Sequence, residues 1–61
     1  MDELYTVEQA AKYLKVSTKT IRRLIKADKL LASKVGGAWR IRKIDIEKYL
    51  SETRNGVEGI L

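Results

Sequence analysis

The chemistry available to this chain is concentrated between Ser17 and Ala27, in the run Ser-Thr-Lys-Thr-Ile-Arg-Arg-Leu-Ile-Lys-Ala. On a helix, at about 100° per residue, Ile21, Leu24 and Ile25 share a narrow stripe, and Lys19, Arg22, Arg23 and Lys26 share the other side. Surface helices ordinarily interleave acids with such cations one turn away. Ser17–Ala27 contains no carboxylate, so its positive charges repel one another until a partner supplies anions. Ser17, Thr18 and Thr20 fall in or beside the first turn, where short side chains let a phosphate approach the free N–H groups and positive dipole end of the helix. Arginine reads guanine through a bidentate pair, while lysine more often neutralises phosphate. The chemistry is recognition of a polyanion.

A second group of candidates surrounds Gly36-Gly37, which separates the runs Leu30–Val35 and Ala38–Arg42. Two glycines between short apolar-containing runs predict a hairpin, because tight primed turns need positive φ in the loop. A two-residue loop pairs Lys34 with Trp39 and Ala32 with Ile41 on one face, leaving Val35, Arg40 and Arg42 on the other, with Ser33 opposite Arg40. Lys34, Gly36, Gly37 and Arg40 would then form a tip small enough to lie along a nucleic-acid backbone. Trp39 could stack on a base, but a single Trp in so small a domain is expected in the core, under the Lys34 stem. Tyr5, Tyr13 and Tyr49 are expected at the core edge.

Bond-making chemistry has little support. The chain has no histidine and no cysteine, which removes the usual zinc ligands, disulfides and the commonest general bases and thiolates. It has no glycine-rich phosphate loop with its Lys and Ser/Thr. Glu8, Asp45 and Glu47 are explained as helix-start residues that favour the dipole. Sixty-one residues leave little room for a substrate pocket of several hundred Å³, so neither catalysis nor a cofactor is expected. The charge distribution agrees. The formal net charge is +5, yet Lys12–Lys43 holds eleven Lys or Arg against Asp28 alone, and both ends of the chain are net acidic. That is the footprint of a polyanion-binding surface. The acidic start Met1-Asp2-Glu3 is unlike a signal peptide, and no apolar run approaches the roughly 20 residues that span a bilayer, so a cytoplasmic location is expected.

These residues must be held by a single core. Thr6 caps a first helix in capping-box spacing with Gln9, and Tyr5 could staple against Ala10. Val7, Ala10, Ala11 and Leu14 follow at helical spacing to about Lys15, with an alanine face thin enough for another helix to approach closely. Ser17 caps the second helix, which runs to Ala27 or Asp28. A connection of about two residues forces the pair to cross steeply, as in a helix-turn-helix. Asp45 is expected to cap a third helix with Ile46, Tyr49 and Leu50 as its apolar face, ending near Ser51–Arg54. Residues 55–61 show no periodicity and are expected to form a flexible tail after a domain spanning 1–54. The expected fold is therefore small α+β, mainly α: a winged helix-turn-helix of order α-α-β-β-α with a two-stranded antiparallel hairpin.

The stretches Tyr5-Thr6-Val7-Glu8-Gln9-Ala10-Ala11 with Leu14, Val16-Ser17 with Thr20-Ile21, Lys34 to Ile41, and Asp45-Ile46 resemble the excisionase-type helix-turn-helix family, which is related to the DNA-binding domains of MerR-type regulators. The resemblance covers about residues 4–51. It implies double-stranded DNA as the partner, a recognition helix from Ser17 to Ala27 and a wing from Lys34 to Arg40. Members of the family include recombination directionality factors that bend attachment sites for an integrase, transcriptional regulators, and DNA-binding parts of larger proteins. MerR regulators continue into a long dimerisation helix and an effector domain. Nothing here can form either, so no small-molecule effector is expected. Specific binding by one such copy would rely on further copies at adjacent sites or on an integrase. A protein-interaction, antitoxin-like role for the cationic face is the reading from a different class. RNA binding lacks the exposed aromatic platform it usually needs.

Overall fold

The computed structural model describes residues 3–53, in which three helices pack around a three-stranded antiparallel sheet. In chain order the elements are β1 (Leu4–Tyr5), α1 (Val7–Leu14), α2 (Thr18–Lys26), β2 (Ser33–Val35), β3 (Ala38–Arg42) and α3 (Lys43–Glu52). The expected segment 55–61 and the boundary at 54 lie outside the described residues.

Helices α1 and α2 start where the sequence provides a cap. At α1 the capping box forms in full: the Gln9 N–H donates to Thr6 Oγ1 at 3.0 Å, and the Thr6 N–H donates to Gln9 Oε1 at 2.9 Å. At α2 the Thr20 N–H donates to Ser17 Oγ at 3.1 Å. Both helices end alike. Lys15 and Asp28 adopt the left-handed conformation, each with φ of 59°. The next N–H in each case reaches back five residues, Val16 to the Ala11 carbonyl and Lys29 to the Leu24 carbonyl, both at 2.9 Å. These are Schellman closures, in which the reversed residue is most often glycine. The closure at Lys15 leaves only three residues, 15–17, between α1 and α2.

The wholly or almost wholly buried core comprises Val7, Ala10 and Ala11 of α1, Ile21 and Ile25 of α2, Leu30, Ile41 of β3 and Ile46 of α3. Ala10 and Ala11 are the thin face expected, and they let α2 press its Ile21–Ile25 stripe directly onto α1. Tyr5 packs on this cluster and meets Tyr13 edge to face at 5.7 Å, but Tyr13 itself is exposed and outside the core, contrary to the core-edge position expected of it.

Three further expectations are corrected. The hairpin is not an isolated two-stranded unit, because Leu4 and Tyr5 pair with Arg42 and Ile41 on the free edge of β3. Two residues are too short for a strand period to show in sequence, and the pairing depends on a partner more than thirty-five positions away. The wing ladder runs Val35–Ala38, Lys34–Trp39 and Ser33–Arg40, as the two-glycine loop requires, but it stops there. Ile41 takes its partner from β1 instead of from Ala32. The third correction concerns α3, which starts at Lys43 with Arg42 at the N-cap position, so Asp45 is inside the first turn and is not the cap. The Lys43 N–H is occupied by the Glu3 carbonyl at 2.9 Å. Asp45, only 8% exposed, accepts two hydrogen bonds from the Arg42 guanidinium, from Nε at 2.7 Å and Nη2 at 3.1 Å. Of its expected apolar face, Ile46 is buried and Tyr49 half-buried, while Leu50 is exposed.

Two stability outcomes follow from these closures. Lys15→Gly relieves a left-handed conformation that costs an L-residue about 1–2 kcal/mol. Part of that gain is offset by added freedom in the unfolded chain, so its thermal midpoint should rise by a few degrees. Asp45→Ala removes a charge-assisted bidentate pair, worth about 1.5–3 kcal/mol. Its midpoint should fall by roughly 6–20 °C in a domain of this size. Circular dichroism melts of both variants measure these shifts.

Candidate nucleic-acid interface

Helix α2 projects its cations away from the core. Lys19, Arg22, Arg23 and Lys26 are all exposed, and among the described residues none has an ion-pair partner. The helix start is more constrained than its sequence implies. Ser17 Oγ lies 3.0 Å from Thr20 Oγ1 and also accepts the Thr20 N–H, so the two hydroxyls are already engaged with each other and with the cap. Ser17 remains exposed at this end, and Thr18 and Thr20 are half-buried.

The wing stands beside this helix. Its tip places Gly36 at φ 59° and Gly37 at φ 84°, the pair of positive values that a type I′ turn requires. Space is not the constraint, since a Cβ at either glycine would meet nothing within 4 Å. Lys34 stacks its ammonium 4.7 Å from the Trp39 ring centroid, so cross-strand pairing yields a cation–π contact. Arg40 is half-buried, and its Nη1 donates to the Trp39 carbonyl at 3.1 Å. Trp39 is half-buried and packs on the core, as expected of it.

Two clefts meet at this point. One, of about 360 Å³, is lined by Thr6, Val7 and Glu8 at the start of α1, by Arg22, and by Lys34 and Gly37–Arg40 of the wing. The other, of about 420 Å³, lies between α2 and the wing and is lined by Arg22, Ile25, Lys26, Lys34 and Trp39. Arg22, Lys34 and Trp39 border both. The structure thus brings Arg22, Lys26, Lys34, Gly37 and Arg40 together around one groove, while Lys19 and Arg23 line neither cleft. The helix and wing residues selected from the sequence therefore do not all line one groove.

Thr6, Val7 and Glu8 are the groove residues that sequence reasoning did not select. They looked like ordinary helix-start residues, and only the tertiary approach of α1 to the wing carries them there. A local signal for this does not exist in the chain.

Among the described residues no three His, Cys, Asp or Glu side chains group as a metal site, and no helix is long and apolar enough to cross a membrane. A family model described as a helix-turn-helix domain matches residues 4–54. The chain belongs to that family, and α1, the Lys15–Ser17 turn and α2 supply the helix-turn-helix itself. No curated protein and no solved structure matches it significantly.

Because the tip is limited by backbone conformation alone, Gly36→Asn should be tolerated better than Gly36→Val, asparagine being far more at ease at positive φ than a β-branched residue. Valine there should lower the midpoint by several degrees. Amide chemical shifts across Ser33–Arg42 would report whether the wing ladder survives.

Proposed function

We propose that this helix-turn-helix protein is a sequence-specific binder of double-stranded DNA of the excisionase type, with helix 17–27 in the major groove and the hairpin 31–42 as a wing on the flanking backbone. One observation carries the reading: the four cations of α2 are exposed and without ion-pair partners among the described residues, and the wing adds Lys34 and Arg40 around a groove shared with Arg22. Like charges so gathered are mutually destabilising, and a duplex offers the matching array of phosphates. In this reading Ser17, Thr18 and Thr20 bring the helix start against the backbone. Lys19, Arg22, Arg23 and Lys26 form the recognition face, and Gly36 and Gly37 let the wing tip approach closely. On this reading the protein works in the cytoplasm, where it meets DNA.

One copy presents only one short recognition helix, and useful specificity in a genome needs more contacts than that. The excisionase-type role meets the need by several copies on adjacent sites or by contact with an integrase, with DNA bending as the output. A small transcriptional regulator of the same fold is the alternative, and it requires no bend at an integrase site. A gel-mobility phasing assay on the preferred duplex separates the two.

The binding itself is tested by recovering preferred duplexes from a random pool and titrating salt. Each phosphate neutralised contributes about −0.9 to the slope of log K against log salt, so four contacts give roughly −3.6. A flat dependence rejects the proposal. The double variant Lys19→Gln, Arg23→Gln should lose the preference for the recovered sequence over a scrambled one. An unchanged preference would instead point to the cationic face serving a protein partner.

A further inference from the structure

We infer that the groove between α2 and the wing seats the sugar–phosphate backbone of one DNA strand, so that Arg22 holds a phosphate and base reading falls to Lys19 and Arg23. This rests on the DNA-binding reading above and divides the labour within it. The groove consists of the two clefts that meet along Arg22, Lys34 and Trp39. One lobe gathers Arg22, Lys34 and Arg40, and the other Arg22, Lys26 and Lys34. The second lobe also presents the apolar Trp39 ring and Ile25 beside its cations, with the Lys34 ammonium 4.7 Å from the ring centroid. A nucleic-acid backbone offers the matching pair of chemistries, anionic phosphates and apolar deoxyribose faces. A base edge does not, since its recognition needs donors and acceptors at fixed positions.

Helix geometry supports the division. Arg22 and Ile25 are three residues apart and share a face, and Ile25 is buried on the wing side, so Arg22 is turned toward the wing. Lys19 and Arg23 are four apart, stacked on a face that borders neither cleft, and so remain free to enter a groove of the duplex. The planar guanidinium of Arg22 suits a phosphate as well as it suits guanine. Position decides which it meets.

Glu8 sharpens the test. It is the one carboxylate lining this groove, in the same lobe as Arg22, Lys34 and Arg40. It therefore opposes backbone seating whatever the base sequence, and its removal should strengthen binding.

The experiment measures anisotropy of two labelled duplexes, one recovered from a random pool and one scrambled, across a range of KCl concentrations. Wild type is compared with Arg22→Gln, Arg23→Gln and Glu8→Gln, all at exposed positions. Arg22→Gln should weaken both duplexes by the same factor and make the salt slope shallower by about 0.9. Arg23→Gln should narrow the ratio between the duplexes by on the order of 10- to 100-fold, the scale of one bidentate base contact. Glu8→Gln should tighten both duplexes several-fold. In the wild-type protein the emission of Trp39, the only tryptophan, should change on saturation with either duplex. The inference is overturned if Arg22→Gln narrows the ratio as Arg23→Gln does, if Glu8→Gln leaves both affinities unchanged, or if saturating DNA does not move the Trp39 emission. Salt-independent wild-type binding would be a different failure, defeating the DNA reading together with this one.

Discussion

Strands β1 and β2 and helices α1 and α3 all pack on β3, and α2 is held through α1. Strand β3 is the only described strand paired on both edges, to β1 through Leu4–Arg42 and Tyr5–Ile41 and to β2 through the wing ladder. Its Ile41 is completely buried, joining the α1–α2 pair to Ile46 of α3 within one cluster. A chain of 61 residues without cysteine or histidine has no disulfide and no histidine- or cysteine-bound metal to fall back on. A small domain of this kind has only a few kcal/mol to spare. Truncating one central isoleucine costs about 2–5 kcal/mol, so the loss of Ile41 alone approaches the whole stability. The cationic face can be exposed and self-repelling because the opposite side of each element is committed to this cluster.

The same economy explains why the helix pair and the wing meet at a groove. Alanines at positions 10 and 11 bring α2 close to α1, and β3 packs against α1, with Ile41 in the same buried cluster as Ile21 and Ile25 of α2. The wing then rises beside α2, and Lys34 and Trp39 face Arg22 and Ile25 across the gap. Trp39 thereby has one side on the core and another on the groove. The choice between a structural and an exposed aromatic dissolves at this position, because a half-buried ring can be both support and surface.

Much of this was legible in the sequence. The caps at Thr6 and Ser17, the apolar stripes of α1 and α2, the two-glycine turn and the Lys34–Trp39 pairing are local patterns with short-range physical causes, and each was read in place. What escaped has non-local causes. Leu4-Tyr5 becomes a strand only because β3 offers an open edge. Asp45 resembles a helix cap, yet β3 passes into α3 without a loop, so Arg42 takes the cap position and Asp45 turns back to its guanidinium. At the candidate site, the cations of α2 were all identifiable by helical spacing. Their partition into a wing-facing pair and a leading pair was not, because it depends on where the hairpin stands.

The junction at Arg42–Lys43 links two parts of the molecule more tightly than connectivity alone would. Arg42 is the last residue of β3, pairs with Leu4, and grips Asp45 one turn into α3. Strand and helix consequently meet without an intervening loop, so the direction in which α3 leaves the sheet is fixed at the same residue that closes β3 against Leu4.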